Sequence, residues 1–279
     1  MRKIEEHIFK VLMISATLLI VGSFFLIMFT LLKKGLPAMS LDMISKTPEG
    51  GFYIGKEGGV LYAIIGSLYL ALSSSVLALI ISLPIVVYIN IYLKKISGLG
   101  SVTRLSYDVL FGIPSIVYGA FGFTIMMYFG LKASLLGGII AVTLLVIPIM
   151  IRTMDEVMRT VPKELLDASY SLGATRLETV KILIRQSAPG IFTAILLSFG
   201  RAIGDAASVM FTAGFSDNIP TSLTDPAPTL PLAIFFQLSS PIEEVQARAY
   251  ASTLILTALV LIISISARIL TNRFSKNKI

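Results

Sequence analysis

Six stretches of this chain are long and apolar enough to cross a lipid bilayer, and that repetition limits the fold more than any other feature. A helical span needs about 20 predominantly apolar residues. Such runs lie at roughly 8–32, 60–93, 105–130, 135–151, 189–214 and 247–270. In hydrocarbon every backbone N–H and C=O must be satisfied internally, which a helix achieves. The expected fold is an all-α integral membrane protein, a single domain over 1–279 with six transmembrane helices. Composition agrees: 55% of the residues are hydrophobic, only 14% are charged, and mean hydropathy is +0.87. A soluble domain carries about 25% charged residues, and a globule of this size has too little interior to hide such an excess of apolar surface. The first run is too long for a signal peptide and no small-x-small cleavage site follows it, so it reads as a retained span. The second is overlong, which predicts tilt or extension beyond the bilayer. The fourth is the shortest and contains Pro148.

Several chemistries are excluded at once. The chain has no Cys, so disulfides, thiolate metal sites and a Cys nucleophile are out. Its single His, His7, rules out His-cluster metal sites and His-based triads. Gly50-GFYI-Gly55-Lys56-Glu57 approaches a phosphate-binding loop, but Glu57 stands where a Ser or Thr would hold Mg²⁺ and no strand precedes it. It reads as a flexible glycine loop. No other catalytic constellation is present, so the chain is expected to be neither an ATPase nor any other enzyme alone, with no cofactor of its own.

The net charge of +7 fits basic loops on one side of a membrane, with lipid rather than nucleic acid as the surrounding partner. The two termini, 94–104 and 152–188 together hold 16 of the 23 basic residues. The positive-inside rule then places both termini and these loops in the cytoplasm, and loops 33–59 and 215–246 outside. The apolar stretch LPLAIFFQL within 215–246 is too short to span, so it is a surface or re-entrant helix at most.

The one long cytoplasmic loop, 152–188, has the pattern of a hairpin. Pro162 can open a helix, and Glu164 and Asp167 favour its first turns. Leu165, Leu166, Ser169 and Leu172 share a semi-apolar face, and Gly173 closes the helix. A second, amphipathic helix carries Leu177, Val180, Lys181 and Ile184 on one face and leads back into the membrane. An exposed apolar face on such a hairpin wants a protein partner; the alternative is a helix lying on the lipid surface.

In the fifth span Ser198, Arg201, Asp205, Ser208 and Thr212 are spaced by three and four residues, which predicts one polar face of a helix. An Arg inside a bilayer costs about 2.5–3.5 kcal/mol by insertion scales, so it must face protein or water. Arg201 and Asp205 lie one turn apart and can pair. A guanidinium also suits an oxyanion, because its planar donors match the oxygens two at a time. The face is therefore a candidate substrate pathway, with Asp205 orienting Arg201. The alternative is a structural ion pair, and Gly200 and Gly204 allow the close helix contact that this would use. In the third span Gly112, Pro114, Ser115 and Gly119 are candidates for a kink with carbonyls exposed at the pathway. Ser73, Ser74 and Ser75 are expected to hydrogen-bond within or between helices.

Asp167-Ala168-Ser169-x-x-x-Gly173 resembles the E-A-A-x-x-x-G loop of ABC-importer permeases, with Asp for Glu and Ser for the second Ala, and without the usual I-x-L-P tail. FGIPSIVYGAFG (111–122), GRAIGDAASVMFTAG (200–214) and the loop ending PLAIFFQLSSP resemble the phosphate-transporting members of that family. The resemblance covers essentially the whole chain. It implies that the loop 152–188 presents a short coupling helix, with Asp167, Ala168, Ser169 and Gly173 engaging a cytosolic ATPase. It also implies four partners: a homologous permease subunit, two copies of that ATPase, which bind the ATP and Mg, and an extracytoplasmic phosphate-binding protein. The implied task is import of inorganic phosphate across the inner membrane of a prokaryote. The rivals are a permease for sulfate or molybdate and an ion-coupled secondary transporter.

Overall fold

Leu135, Ile139, Val142, Val146, Met150, Met154 and Met158 recur every three or four residues, which aligns them on one helix face. In the computed structural model, which describes residues 2–48, 58–93 and 98–275, they form the buried seam of the central helix. In chain order the helices are α1 (Arg2–Gly35), α2 (Leu41–Ser45), α3 (Leu61–Val87), α4 (Gly98–Phe111), α5 (Ser115–Tyr128), α6 (Leu135–Arg159), α7 (Lys163–Ser171), α8 (Arg176–Ile203), α9 (Val209–Thr212), α10 (Leu230–Leu238) and α11 (Glu243–Ser275). A 3₁₀ turn, Leu36–Ala38, follows α1, and a π-turn, Tyr88–Tyr92, continues α3. No strand occurs among the described residues. The glycine loop 50–57 and Lys94 and Lys95 lie outside them.

The seam of α6 packs between α3, through Leu70, Ala71, Ala78 and Val86, and α8, through Leu183, Ile191, Ala194 and Phe199. The shortest predicted span, 135–151, thus belongs to a 25-residue helix that runs on to Arg159 and is the most enclosed of all. Pro148 stays inside it without ending it, because packed neighbours let a membrane helix tolerate the missing N–H.

Among the described residues, five helices are long and apolar enough to cross a membrane: those spanning Glu5–Ala38, Leu61–Tyr92, Leu135–Arg159, Arg176–Ile203 and Glu243–Ser266. The third predicted span, 105–130, is not one straight helix. It is the pair α4 and α5, bent by 100°. Pro114 explains the break: it has no N–H and disfavours helical geometry at Ile113, and its own backbone is extended (φ −58°, ψ 140°). Tyr118, buried one turn into α5, donates its hydroxyl across the bend to the Leu110 carbonyl (2.8 Å), which also accepts from Ile113 N (3.1 Å).

The stretch LPLAIFFQL is α10. It is half buried: Leu230, Pro231, Leu232 and Ala233 pack between α3 and α11, whereas Phe235, Phe236 and Leu238 are exposed. Its N-terminus is seated by Ser67 of α3, whose hydroxyl accepts from Leu230 N (2.8 Å). The chain crosses α3 so closely at this point that a Cβ on Gly66 would sit 1.9 Å from the Pro228 carbonyl oxygen. Gly66→Ala is therefore expected to destabilise the subunit by about 1–3 kcal/mol, the usual cost of overpacking. Thermal unfolding of the detergent-extracted protein reads this directly; an unchanged midpoint would contradict the contact.

Candidate functional site

The polar residues of the fifth span do not lie along one helix. The predicted run 189–214 is replaced by α8, which begins at Arg176 and ends at Ile203, then a turn, then the four-residue α9. The reason is Asp205. One carboxylate oxygen accepts from the backbone N–H of Ser208 (2.8 Å) and from the Ser208 hydroxyl. Asp offers the backbone this local partner in place of a helical bond, so it ends α8 and starts the next turn.

The other Asp205 oxygen meets Arg201 Nη1 at 3.0 Å, so the expected pair is present although the expected helix is not. The two partners differ in environment. The Asp205 side chain is 1% exposed and that of Arg201 39%. Ser208 and Thr212 are fully buried and point inward, with the Thr212 hydroxyl donating to the Ser208 carbonyl (2.8 Å). Their hydroxyls hold the break. Ser198 is also buried, and its hydroxyl has no partner among the described residues. Of the five, Arg201 alone reaches the surface.

The surface beside it is bare. A Cβ on Gly200 would meet nothing within 4 Å, and one on Gly204 only the Gly200 carbonyl. These glycines therefore pack against no helix among the described residues of this chain. They form a shelf beside a guanidinium that is paired with a buried carboxylate and is itself partly exposed. Such a group can bind an oxyanion two oxygens at a time.

The candidate kink and the polar face meet at this break. Gly119 of α5 lies against it: a Cβ there would stand 2.8 Å from the Ser208 Cα and carbonyl oxygen. Gly112, Pro114 and Ser115 form the 100° bend one turn earlier. The bend aims α5 and the glycine lets it reach the break. Of the serines in α3, Ser74 donates to the Leu70 carbonyl (2.7 Å), whereas Ser75 is buried with no hydrogen-bond partner among the described residues, contrary to expectation.

The hairpin follows its sequence pattern. Gly173 has φ +83°, the left-handed region. Gly173 N donates to Tyr170 O and Ala174 N to Ser169 O, the paired bonds of a Schellman motif. Thr175 and Glu178 then close a capping box that starts α8. The semi-apolar face divides: Leu166 packs inward against the core and the buried Ser169 hydroxyl bonds that of Thr179 (3.1 Å), while Leu172 at the tip is 89% exposed. Asp167 and Ala168 are exposed on the same turn. Ser169 therefore braces α7 on α8 and leaves Asp167, Ala168 and Leu172 as the face available to a partner.

One cluster escaped the sequence reading. Asp155 of α6 is 1% exposed and accepts from Asn90 (2.7 Å), Arg104 (3.0 Å) and Tyr107 (2.7 Å). With the fourth span ending at 151, Asp155 counted as a loop charge. The available signal was an α-helical spacing that runs on through Met154 and Met158.

Residues 97–276 match the family described as binding-protein-dependent transport system inner membrane component. The chain is 35% identical over 270 residues to the phosphate transport system permease protein PstA of Yersinia pestis, covering 96% of this chain and 90% of that one. It is 34% identical to PstA of Xylella fastidiosa (strain Temecula1 / ATCC 700964), covering 88% and 84% of the two. A probable ABC transporter permease of Bacillus subtilis, YqgI, is 30% identical, covering 84% of each. Among solved structures, an inward-facing conformation of the MetNI methionine ABC transporter superposes with a TM-score of 0.63 at 18% identity, over 77% of this chain and 95% of that one. At that identity the likeness concerns the fold.

Proposed function

The chain belongs to the family of inner-membrane components of binding-protein-dependent transport systems, and from that premise we propose that it is the PstA-type permease subunit of an ATP-driven phosphate importer. The observation that carries the anionic substrate is the half-exposed Arg201 guanidinium, held beside an open glycine shelf by the buried Asp205. The identity with PstA permeases over nearly the whole chain selects phosphate among the oxyanions. Asp205 orients Arg201 and does not meet the anion, since like charges repel.

ATP hydrolysis belongs to a partner. The exposed face of α7, with Asp167, Ala168 and Leu172, docks on a cytosolic ATPase of the PstB type, present in two copies that bind ATP and Mg. The remaining partners are a PstC-type sister permease and an extracytoplasmic phosphate-binding protein of the PstS type. Tagged chain expressed with its own operon is expected to co-purify with a nucleotide-binding subunit. Isolation as a transport-competent protein without one would favour an ion-coupled carrier.

Both termini and the hairpin face the cytoplasm, and 215–229 faces outward. The absence of Cys makes this testable. Ser171 and Asn218 are both exposed in the folded chain. In intact cells an impermeant maleimide should label Asn218→Cys and spare Ser171→Cys; the reverse pattern would invert the topology.

A further inference from the structure

The hairpin is tied to the core at both of its roots by the same short element, the π-turn Tyr88–Tyr92 at the end of α3. On one side stands Asp155, four residues before the end of α6; only Thr160, Val161 and Pro162 separate that end from α7. The Asn90 amide donates to Asp155 Oδ1 at 2.7 Å and to the Val86 carbonyl at 2.9 Å. On the other side stands Arg176, the first residue of α8 after the hairpin turn. Its guanidinium lies 5.6 Å from the centre of the Tyr92 ring, which stacks in turn on Tyr88. Arg104 and Tyr107 complete the carboxylate's shell from α4, the helix that leads into the 100° bend. A π-turn inserts one extra residue into a helix and is frequent at functional sites. Here the widened turn places Asn90 towards α6 and Tyr92 towards α8.

We propose that Asn90 and Asp155 are positioning residues for transport: they seat the coupling hairpin on the π-turn of α3, so that a push on α7 moves α3, α4 and α6 together. The inference rests on the hairpin being the docking element for the ATPase. An ordinary helix end at Tyr88–Tyr92 would leave the hairpin held by residues 160–162, the apolar contacts of Leu166 and the Ser169–Thr179 bond to α8, with no polar tie from either root to α3. A buried carboxylate that accepts from Asn90, Tyr107 and two nitrogens of Arg104 has one low-energy arrangement, which is what a force-bearing joint needs.

The test uses the whole complex in liposomes and reads anion taken up per ATP hydrolysed. Asp155→Asn removes the charge and risks the fold, because it leaves Arg104 without its carboxylate. Asn90→Ala is the discriminating variant, since Arg104 and Tyr107 still satisfy Asp155. It is expected to assemble in normal yield and to hydrolyse ATP, while uptake per ATP falls about fivefold or more, the scale of a typical coupling energy between sites. A second reading comes from crosslinking Leu172→Cys to the ATPase, which Asn90→Ala should weaken or shift. A ratio equal to that of the unsubstituted complex, or lower uptake wholly explained by lower complex yield, would overturn the proposal and leave the cluster a structural clamp. If the unsubstituted complex takes up no phosphate, the substrate assignment fails instead; the Leu172 crosslink, kept or lost in Asn90→Ala, then still decides this inference.

Discussion

Arg201→Met combined with Asp205→Asn is expected to give a subunit that folds, assembles and transports almost nothing. Removing Arg201 alone leaves the Asp205 carboxylate buried with only the Ser208 donors. Breaking a fully buried pair costs about 3–5 kcal/mol, and an exposed pair contributes about 0–1 kcal/mol. With one partner 39% exposed, the single variant falls between these limits. Asp205→Asn then removes the stranded charge. Asn is the right replacement because its amide oxygen can still accept from Ser208 N and keep the break that ends α8; Asp205→Leu would destroy that turn as well as the charge. If Arg201 serves the scaffold only, the double variant recovers stability and transport together. If Arg201 meets the anion, stability recovers and transport does not. Hydrogen bonds to charged groups contribute about 1.5–3 kcal/mol each, so losing two lowers uptake on the order of 10²-fold or more. Arg201→Lys should also transport poorly, since a point charge lacks the fork. Complex yield after extraction and phosphate uptake, measured on the same preparations, separate the two cases. Near-normal uptake by the double variant would leave Arg201 a structural residue.

Gly173→Leu is expected to uncouple transport without blocking membrane insertion. Nothing lies within 4 Å of a Cβ at this position, so the effect is not a collision with a neighbour. It is the backbone: φ +83° is left-handed, and a residue with a Cβ is disfavoured there by about 1–2 kcal/mol. The Schellman bonds from Gly173 and Ala174 then compete with a relaxed turn, and α7 loses its fixed angle to α8. Gly173→Asn should be much milder, because Asn visits this region routinely. The expected order of ATP-dependent uptake is therefore Gly, then Asn, then Leu. Equal uptake by the Asn and Leu variants would show that the turn's conformation does not control coupling.

The hairpin and most spans were legible because their signals are local. Gly173 after an apolar face marks a helix end wherever it occurs, and hydropathy over 20 residues needs no knowledge of neighbours. The fifth span was misread for a physical reason. Ser, Asp and Thr at intervals of three and four residues describe a helical stripe, but these residue types also compete with the helix for backbone groups. Asp205 does so, and periodicity cannot distinguish the two outcomes. The 100° bend shows the same limit: Gly112 and Pro114 announced a kink, whereas its angle depends on how α5 reaches Ser208 through Gly119. Asp155 was missed because hydropathy ended its helix at 151, although the buried seam continues for two more turns among the charges.

Uptake of labelled phosphate by liposomes holding the complete complex tests the account most directly. ATP is enclosed in the lumen, the phosphate-binding protein is supplied outside, and only complexes whose ATPase faces the lumen are active. Uptake that needs ATP, that unlabelled phosphate suppresses and that equimolar sulfate leaves unchanged is the predicted result. Uptake that proceeds without ATP, or that sulfate suppresses as well as phosphate does, would contradict it.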